Sequence, residues 1–352
     1  MKIRSYLLVP MLLIFVLVSA CTTPKESNET KSLNVMTHDS FSISEDLIAQ
    51  FENENNVKIN FLLSGDTGAA LNRAILTKES PQADVFFGVD NTFVSRALQE
   101  GIFEPYESQK LDLVADEFKV DPNYYVLPVD YGDVCINYDK SYFERNDLQI
   151  PTSLSELTKP EFQGLLVVEN PATSSPGLAF LLATIAEFGE EGYLDFWRDL
   201  RANGVVVVND WETAYYANFS GSSGKGPQPM VVSYGSSPPA EVIFAETELN
   251  EAPTASITAP NTCFRQIEFV GILKGTQERE LAEIFVDFML DIQFQEDLPL
   301  QMFVFPVNQE ANLPEEFIQY AQIPEKPATL DLELIANNRD KWIQEWTLTV
   351  LR

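Results

Sequence analysis

Leu33-Asn34-Val35-Met36-Thr37-His38-Asp39, Val57-Lys58-Ile59-Asn60-Phe61-Leu62-Leu63-Ser64-Gly65-Asp66 and Ala83-Asp84-Val85-Phe86-Phe87-Gly88-Val89-Asp90 decide the fold class. Each is a short apolar run that ends close to an aspartate. Between the first two, Ser44 is placed to cap a helix carrying Leu47, Ile48 and Phe51 on one face. After the second, Leu71, Ala74 and Ile75 continue as a short helix. After the third, Phe93–Gln99 forms a helix stopped by Gly101. Strand and helix alternating three times predict a parallel sheet with helices on its faces. Ligands of open α/β sheets bind beyond the carboxyl ends of the strands, where Asp39, Asp66 and Asp90 converge. The same aspartates could equally cap the helices that follow them.

Tyr125–Val129 and Val134–Tyr138 read as extended segments around Asp130-Tyr131-Gly132. A second α/β region follows, with strands at Leu165–Val168, Val205–Val208 and Pro229–Ser233. One helix opens at Ser174-Ser175-Pro176-Gly177, and another spans Tyr193–Arg201. Cys263–Ile272 returns as an extended run. Thr276 is placed to cap a helix bearing Leu281, Ile284, Phe285, Phe288 and Met289, and a last helix spans about Leu332 to Val350. In that last helix Trp342 and Trp346 share one face, as core packing requires. The pattern predicts two α/β lobes with a ligand cleft between them, joined by crossovers near 129–138 and 263–270. Lobe 1 takes 33–130 with 266–310, lobe 2 takes 131–265, and 311–352 is a C-terminal helical segment packing on both.

Residues 1–20 carry Lys2 and Arg4 ahead of an apolar stretch, as a secretory signal does. Val18-Ser19-Ala20-Cys21 resembles the bacterial lipobox, which implies lipidation of Cys21 and an exported protein anchored on the extracytoplasmic side. Polar residues 21–32 read as a flexible tether. In such a compartment Cys135 and Cys263 are free to pair, and their spacing leaves that open.

The chain has 352 residues, about two domains' worth, with 23 Lys+Arg against 53 Asp+Glu, a formal charge of −30. That balance disfavours nucleic acid and anionic membranes and permits cationic ligands. A single histidine removes His-rich zinc sites, and no metal site is expected. It also confines any Ser-His-Asp or Cys-His chemistry to His38. Gly221–Gly226 lacks the residues a P-loop needs.

Ordered local motifs carry a resemblance over nearly all of 33–352. They are Thr37-His38-Asp39-Ser40-Phe41, Gly65-Asp66, Gly88-Val89-Asp90-Asn91, Asp130-Tyr131-Gly132, Thr173-Ser174-Ser175-Pro176-Gly177, Trp211-Glu212-Thr213-Ala214-Tyr215, Ser233-Tyr234-Gly235-Ser236-Ser237-Pro238 and Phe305-Pro306-Val307. Together they resemble the periplasmic thiamine-binding proteins of ABC importers. The resemblance implies a two-lobed type II periplasmic-binding-protein fold without catalysis or cofactor. Such a monomer would deliver thiamine or its phosphates to a permease and its ATPase subunit. It implies ligand contacts at Asp66, Thr67, Ser174, Ser175, Trp211, Tyr234, Gly235, Ser236 and Ser237. Tyr215 and Phe303 add aromatic faces for the thiazolium cation, and Asp39, Asp90 and Asp130 add negative potential. Ser174-Ser175 at a helix start also suits an anion, or simply caps the helix.

Three positions depart from the family pattern: His38 replaces a common Tyr, Phe303 a common Trp, and Ala240 a stacking Tyr, while Ser220–Pro227 reads as an added polar loop. The same fold carrying a ferric ion, a polyamine or an organophosphonate is the alternative, with Tyr124-Tyr125 and Tyr215-Tyr216 as the tyrosine pairs an iron carrier would use. An exported acidic hydrolase would need paired carboxylates, for which no local motif exists.

Overall fold

The computed structural model describes residues 31–223 and 225–352; the signal and Cys21 lie outside them, as does most of the tether. In chain order the first half comprises β1 (Lys31–Thr37), α1 (Glu45–Asn55), β2 (Val57–Leu63), α2 (Thr67–Leu76), β3 (Val85–Asp90), α3 (Val94–Glu100), β4 (Phe103–Glu104), β5 (Leu127–Asp139), α4 (Lys140–Arg145) and β6 (Leu166–Glu169). Then follow α5 (Ser175–Ala202), β7 (Val206–Val208), β8 (Met230–Tyr234), α6 (Pro238–Ile243), β9 (Thr254–Ile257), β10 (Phe264–Leu273), α7 (Arg279–Leu290), α8 (Ile292–Gln301), β11 (Phe305–Pro306), α9 (Glu315–Tyr320) and α10 (Leu332–Val350).

The strands lie in the order β2-β1-β3-β10-β5-β8-β6-β7, with β4 on β10 and with β9 and β11 on β5. Pairing is parallel at β2-β1-β3 and again at β8-β6-β7, and antiparallel around β10 and β5 in the middle. This is the two-lobed α/β arrangement that the alternating pattern predicts. Each parallel part keeps helices on its faces, and β5 and β10 run from one part to the other. Those two strands are tied by the in-register pair Arg265↔Asp133, whose side chains make two hydrogen bonds of 3.0 Å each. Cys135 on β5 and Cys263 at the start of β10 are fully buried and disulfide-bonded, which settles the pairing that their spacing left open.

Several local expectations change. The tether ends before residue 31, because Lys31 and Ser32 already pair with Val57 and Lys58 in the β1–β2 ladder. The two extended segments around Asp130 are one strand, β5. The helix beginning at Ser175 and the one at Tyr193–Arg201 are one element, α5, kinked at Gly189. Ser44 stands at the start of α1, but its hydroxyl donates to Asp297 instead of capping. Thr276 likewise precedes α7 and donates to Asp84, while its oxygen accepts from the Glu278 amide. Trp342 and Trp346 of α10 are fully buried, and Trp346 meets Trp197 of α5 edge to face at 5.4 Å.

The disulfide closes a loop across 128 residues of chain. Breaking it lets the unfolded chain expand, and native disulfides of this kind contribute roughly 2–5 kcal/mol. Thermal melts with and without reductant, and of Cys135→Ala/Cys263→Ala, are expected to register a loss in that range; an unchanged midpoint would assign the link no stabilising role.

Candidate functional site

A cleft whose open space, solvent at its mouth included, is about 640 Å³ lies where β1, β2, α5, β8 and β10 end or cross. Its wall takes His38, Asp66, Thr67, Ser175, Trp211, Tyr215, Tyr234, Ser237 and Phe303 from the sequence-derived set. It adds Ser40, Pro176, Tyr216, Ala240, Glu268, Met302 and Val304.

One wall is aromatic. Trp211 stacks on Tyr215 at 5.0 Å with planes 21° apart, and meets Tyr216 and Tyr234 edge-on at 5.6 and 6.4 Å. Trp211 Nε1 donates to Ser233 Oγ (3.0 Å), and Ser233 Oγ lies 2.9 Å from Ser237 Oγ. The polar turn after β8 thus holds the indole in place. Tyr215 sits in the π-helical turn Thr213–Asn218, and its hydroxyl donates to Glu241 Oε1 (3.0 Å). Ser222 Oγ, just after this turn, donates to the Tyr215 carbonyl (2.6 Å). Tyr234 rests against the backbone of Gly132, where an added Cβ would lie 2.8 Å from the ring. Phe303 reaches the cavity from a left-handed backbone (φ 56°), a strained conformation for a bulky residue, and packs on Phe244 and Phe317.

The floor is acidic. Glu268 of β10 is in register with Asp90 of β3 on one side and Asp130 of β5 on the other. Directly opposed residues project on the same face, so three carboxyls form a row across three strands. Asp90 is fully buried; it accepts from the Thr92 amide (2.6 Å) and hydroxyl (2.5 Å), and from Ser175 Oγ. Asp130 is fully buried and neither of its oxygens has a hydrogen-bond partner. Asp66 caps α2, accepting from the Thr67 amide (2.9 Å), and its other oxygen is buried and unpartnered. Glu169, at the end of β6, is buried with both oxygens unpartnered. His38 Nε2 lies 3.5 Å from Glu268 Oε1. Its ring occupies space that only a glycine at 88 leaves free, since a Cβ there would lie 2.4 Å from His38 Cδ2 and the backbone has φ 99°.

Removal from water raises the carboxyls here: Asp90 to about 6, Glu268 to about 8, and Asp66, Asp130 and Glu169 upward. Neighbouring carboxylates add to the rise at Glu268. For Asp66, the Thr67 amide offsets part of it. Burial drives His38 below its ordinary value, against the pull of Asp66, Asp130, Asp39 and Asp90. Buried Tyr215 and Tyr234 keep their protons well beyond the usual phenol range.

Five sequence-derived residues support the site without lining it, and a sixth is buried beside it. Exposed Asp39 accepts from the Gly65 amide and braces two loops. Asp90 and Asp130 lie beneath the floor. Ser174 is buried at the start of α5 with an unpartnered hydroxyl. The Gly235 amide donates to the Asp133 carbonyl, while Ser236 is buried with its hydroxyl unpartnered. Glu268 and Glu169 escaped the sequence reading. A lone carboxylate inside the apolar run Ile267–Leu273 was the available signal for Glu268.

The family described as "Bacterial extracellular solute-binding protein" matches residues 80–324. The chain belongs to this family. Among its relatives is the "Thiamine-binding periplasmic protein" of Brucella suis, 29% identical over 97% of this chain and 98% of the relative. The protein of the same name from Salmonella typhimurium is 30% identical over 91% of this chain and 94% of its own. A solved "Periplasmic thiamin binding protein" superposes with TM-score 0.79 at 26% identity, over 91% of this solute-binding protein and 96% of the other. These matches carry the two-lobed type II fold and an extracytoplasmic place of work.

The floor makes this solute-binding protein pH-sensitive when empty. Glu268 and Asp90 hold protons in the folded state at pH values where the unfolded chain, at 4.5 and 3.8, has released them. The folded state therefore binds more protons over that window, so stability falls as pH rises from about 5 through 8. Ligand-free melts across this range are expected to decline; a rising midpoint would contradict the raised carboxyls.

Proposed function

We propose that the protein captures thiamine, or a thiamine phosphate, outside the cytoplasmic membrane and hands it to an ABC permease driven by an ATPase subunit. It acts as a carrier and not as a catalyst. The observation that carries this reading is the facing of an aromatic wall and a buried acidic floor across one cavity. A flat permanent cation such as the thiazolium ring suits both: a desolvated cation–π contact contributes on the order of 2 kcal/mol, and carboxylates supply the counter-charge. Ser237, Thr67 and Ser175 offer hydroxyls for the pyrimidine and the hydroxyethyl arm. Relatives bearing a thiamine-binding name over nearly the full chain support the same ligand.

The remaining parts of the reading follow the sequence. Cys21 carries a lipid anchor, and a monomer is tethered by residues up to 30. One lobe comprises residues 33–130 together with 266–310, the other 131–265, and they close on the ligand by bending at β5 and β10. The tyrosine pair behind the ferric alternative, Tyr215-Tyr216, does line the cavity. Tyr215 is committed to Glu241, and among the described residues no group of three or more His, Cys, Asp or Glu is placed to hold a metal.

Calorimetric titration of the purified protein with thiamine is expected to show saturable binding; none at hundred-micromolar ligand would remove thiamine as the solute. Trp211→Ala and Tyr234→Ala are each expected to weaken it by at least ~1 kcal/mol, about fivefold, the scale of a lost aromatic contact. Folded variants with unchanged affinity would move the ligand elsewhere.

A further inference from the structure

Glu268 is 6% exposed and lines the cavity, and Asp130 behind it is fully buried. The register places the two side by side on adjacent strands. Like charges directly opposed on a sheet repel, and among the described residues no N–H or O–H donor is placed to satisfy either oxygen of Asp130. Two carboxyls left facing each other in this way are compatible only if a proton lies between them. The other groups facing Glu268 do not replace that proton. Asp66 and Asp90 add negative charge, Tyr234 and Gln266 are neutral, and Gln266 Nε2 is at 3.5 Å. His38, 3.5 Å away, is held neutral by its burial. The half-buried Arg265 is engaged by Asp133, and the buried Arg339 by Asp340. Among the described residues, no lysine or arginine lines the cavity.

We propose that Glu268, backed by Asp130, is the cation-recognition subsite of the cleft, and that a bound cationic ring takes the place of the proton this pair shares, releasing it to solvent. The ligand's charge does what the proton did: it separates two negative groups. Glu268 is therefore a specificity-determining residue, and the exchange favours ligands with a fixed positive charge over neutral analogues of the same shape. The thiamine form of this inference rests on the function proposed above.

Proton release is counted directly by titrating thiamine into the protein in buffers of different ionisation enthalpy at one pH. The slope of observed heat against buffer enthalpy gives the number released. We expect close to one proton at pH 7, fewer toward pH 9, and affinity rising close to tenfold from pH 6 to 7 and about fivefold from 7 to 8. In Glu268→Gln the amide donates to Asp130, so the release should vanish and affinity should fall at least tenfold. A zero slope for the wild type, or a wild-type proton count in Glu268→Gln, would overturn the proposal. Asp130→Asn reads the same pair should the first variant not fold. A ligand-free comparison separates this inference from the thiamine assignment. Between pH 6 and 9 the wild type should lose melting temperature relative to Glu268→Gln, and a constant difference would overturn the shared proton. Absence of any heat from thiamine, with the melting difference intact, would instead sink thiamine as the ligand and leave the subsite standing for another cation.

Discussion

Three carboxyls aligned across adjacent strands, Asp90, Glu268 and Asp130, are the constraint around which the site is arranged. A folded chain tolerates buried acids only where each is hydrogen-bonded, paired or neutral. Asp90 takes the first course, with Thr92 and Ser175 as donors. Asp133, three residues along β5 from this row, takes the second with Arg265. Asp130 and Glu268 take neither. Their neutralisation is left to protons or to something that enters the cavity, which is the basis of the cation subsite proposed above.

The walls are positioned by the same middle strands. β5 and β10 carry Asp130 and Glu268, are joined by the Arg265–Asp133 pair and the Cys135–Cys263 link, and hold β8 through Val134↔Tyr234 and its neighbours. Tyr234 is thereby fixed beside Gly132, and the turn after it fixes Trp211 through Ser233. Aromatic wall and acidic floor are two faces of one strand crossing. A change at the crossing, such as a side chain at Gly132, would reach both.

The parallel halves were legible because apolar runs of strand length alternate with helix-period segments, and because an aspartate near each strand end is a local signal. Asp66, Trp211, Tyr215 and Tyr234 reach one cavity from separate places in the chain, as their motifs imply. What resisted reading was set by register. Nothing in Phe264–Leu273 says that Glu268 will stand between Asp90 and Asp130, since that depends on strands more than a hundred residues away. The fusion of two extended segments into β5 was hidden by Pro128 and by Gly132, which resemble turn residues yet serve a long strand that must let a ring approach. Ser44 does stand at the start of α1, whereas Thr276 falls two residues ahead of Glu278, the N-cap of α7; long-range carboxylates at Asp297 and Asp84 take both hydroxyls, an outcome that local propensity does not encode.

The formal charge of −30 bears on this site less than it first suggests. Most of the 53 acidic residues are on the surface, where water and salt screen them within about 8–10 Å. They raise the encounter rate of a cation and do little to retain it. Retention depends on the few carboxyls that water does not reach, because only there is an unmet charge strong enough to discriminate between a fixed cation and a neutral ring of equal size. His38 sharpens the distinction. A tyrosine there would offer the ligand a face; a buried neutral imidazole beside Glu268 offers a weak base instead, which would compete with the ligand's cation once protonated. Substitution at this one position therefore alters the electrostatics of the floor more than the shape of the cavity.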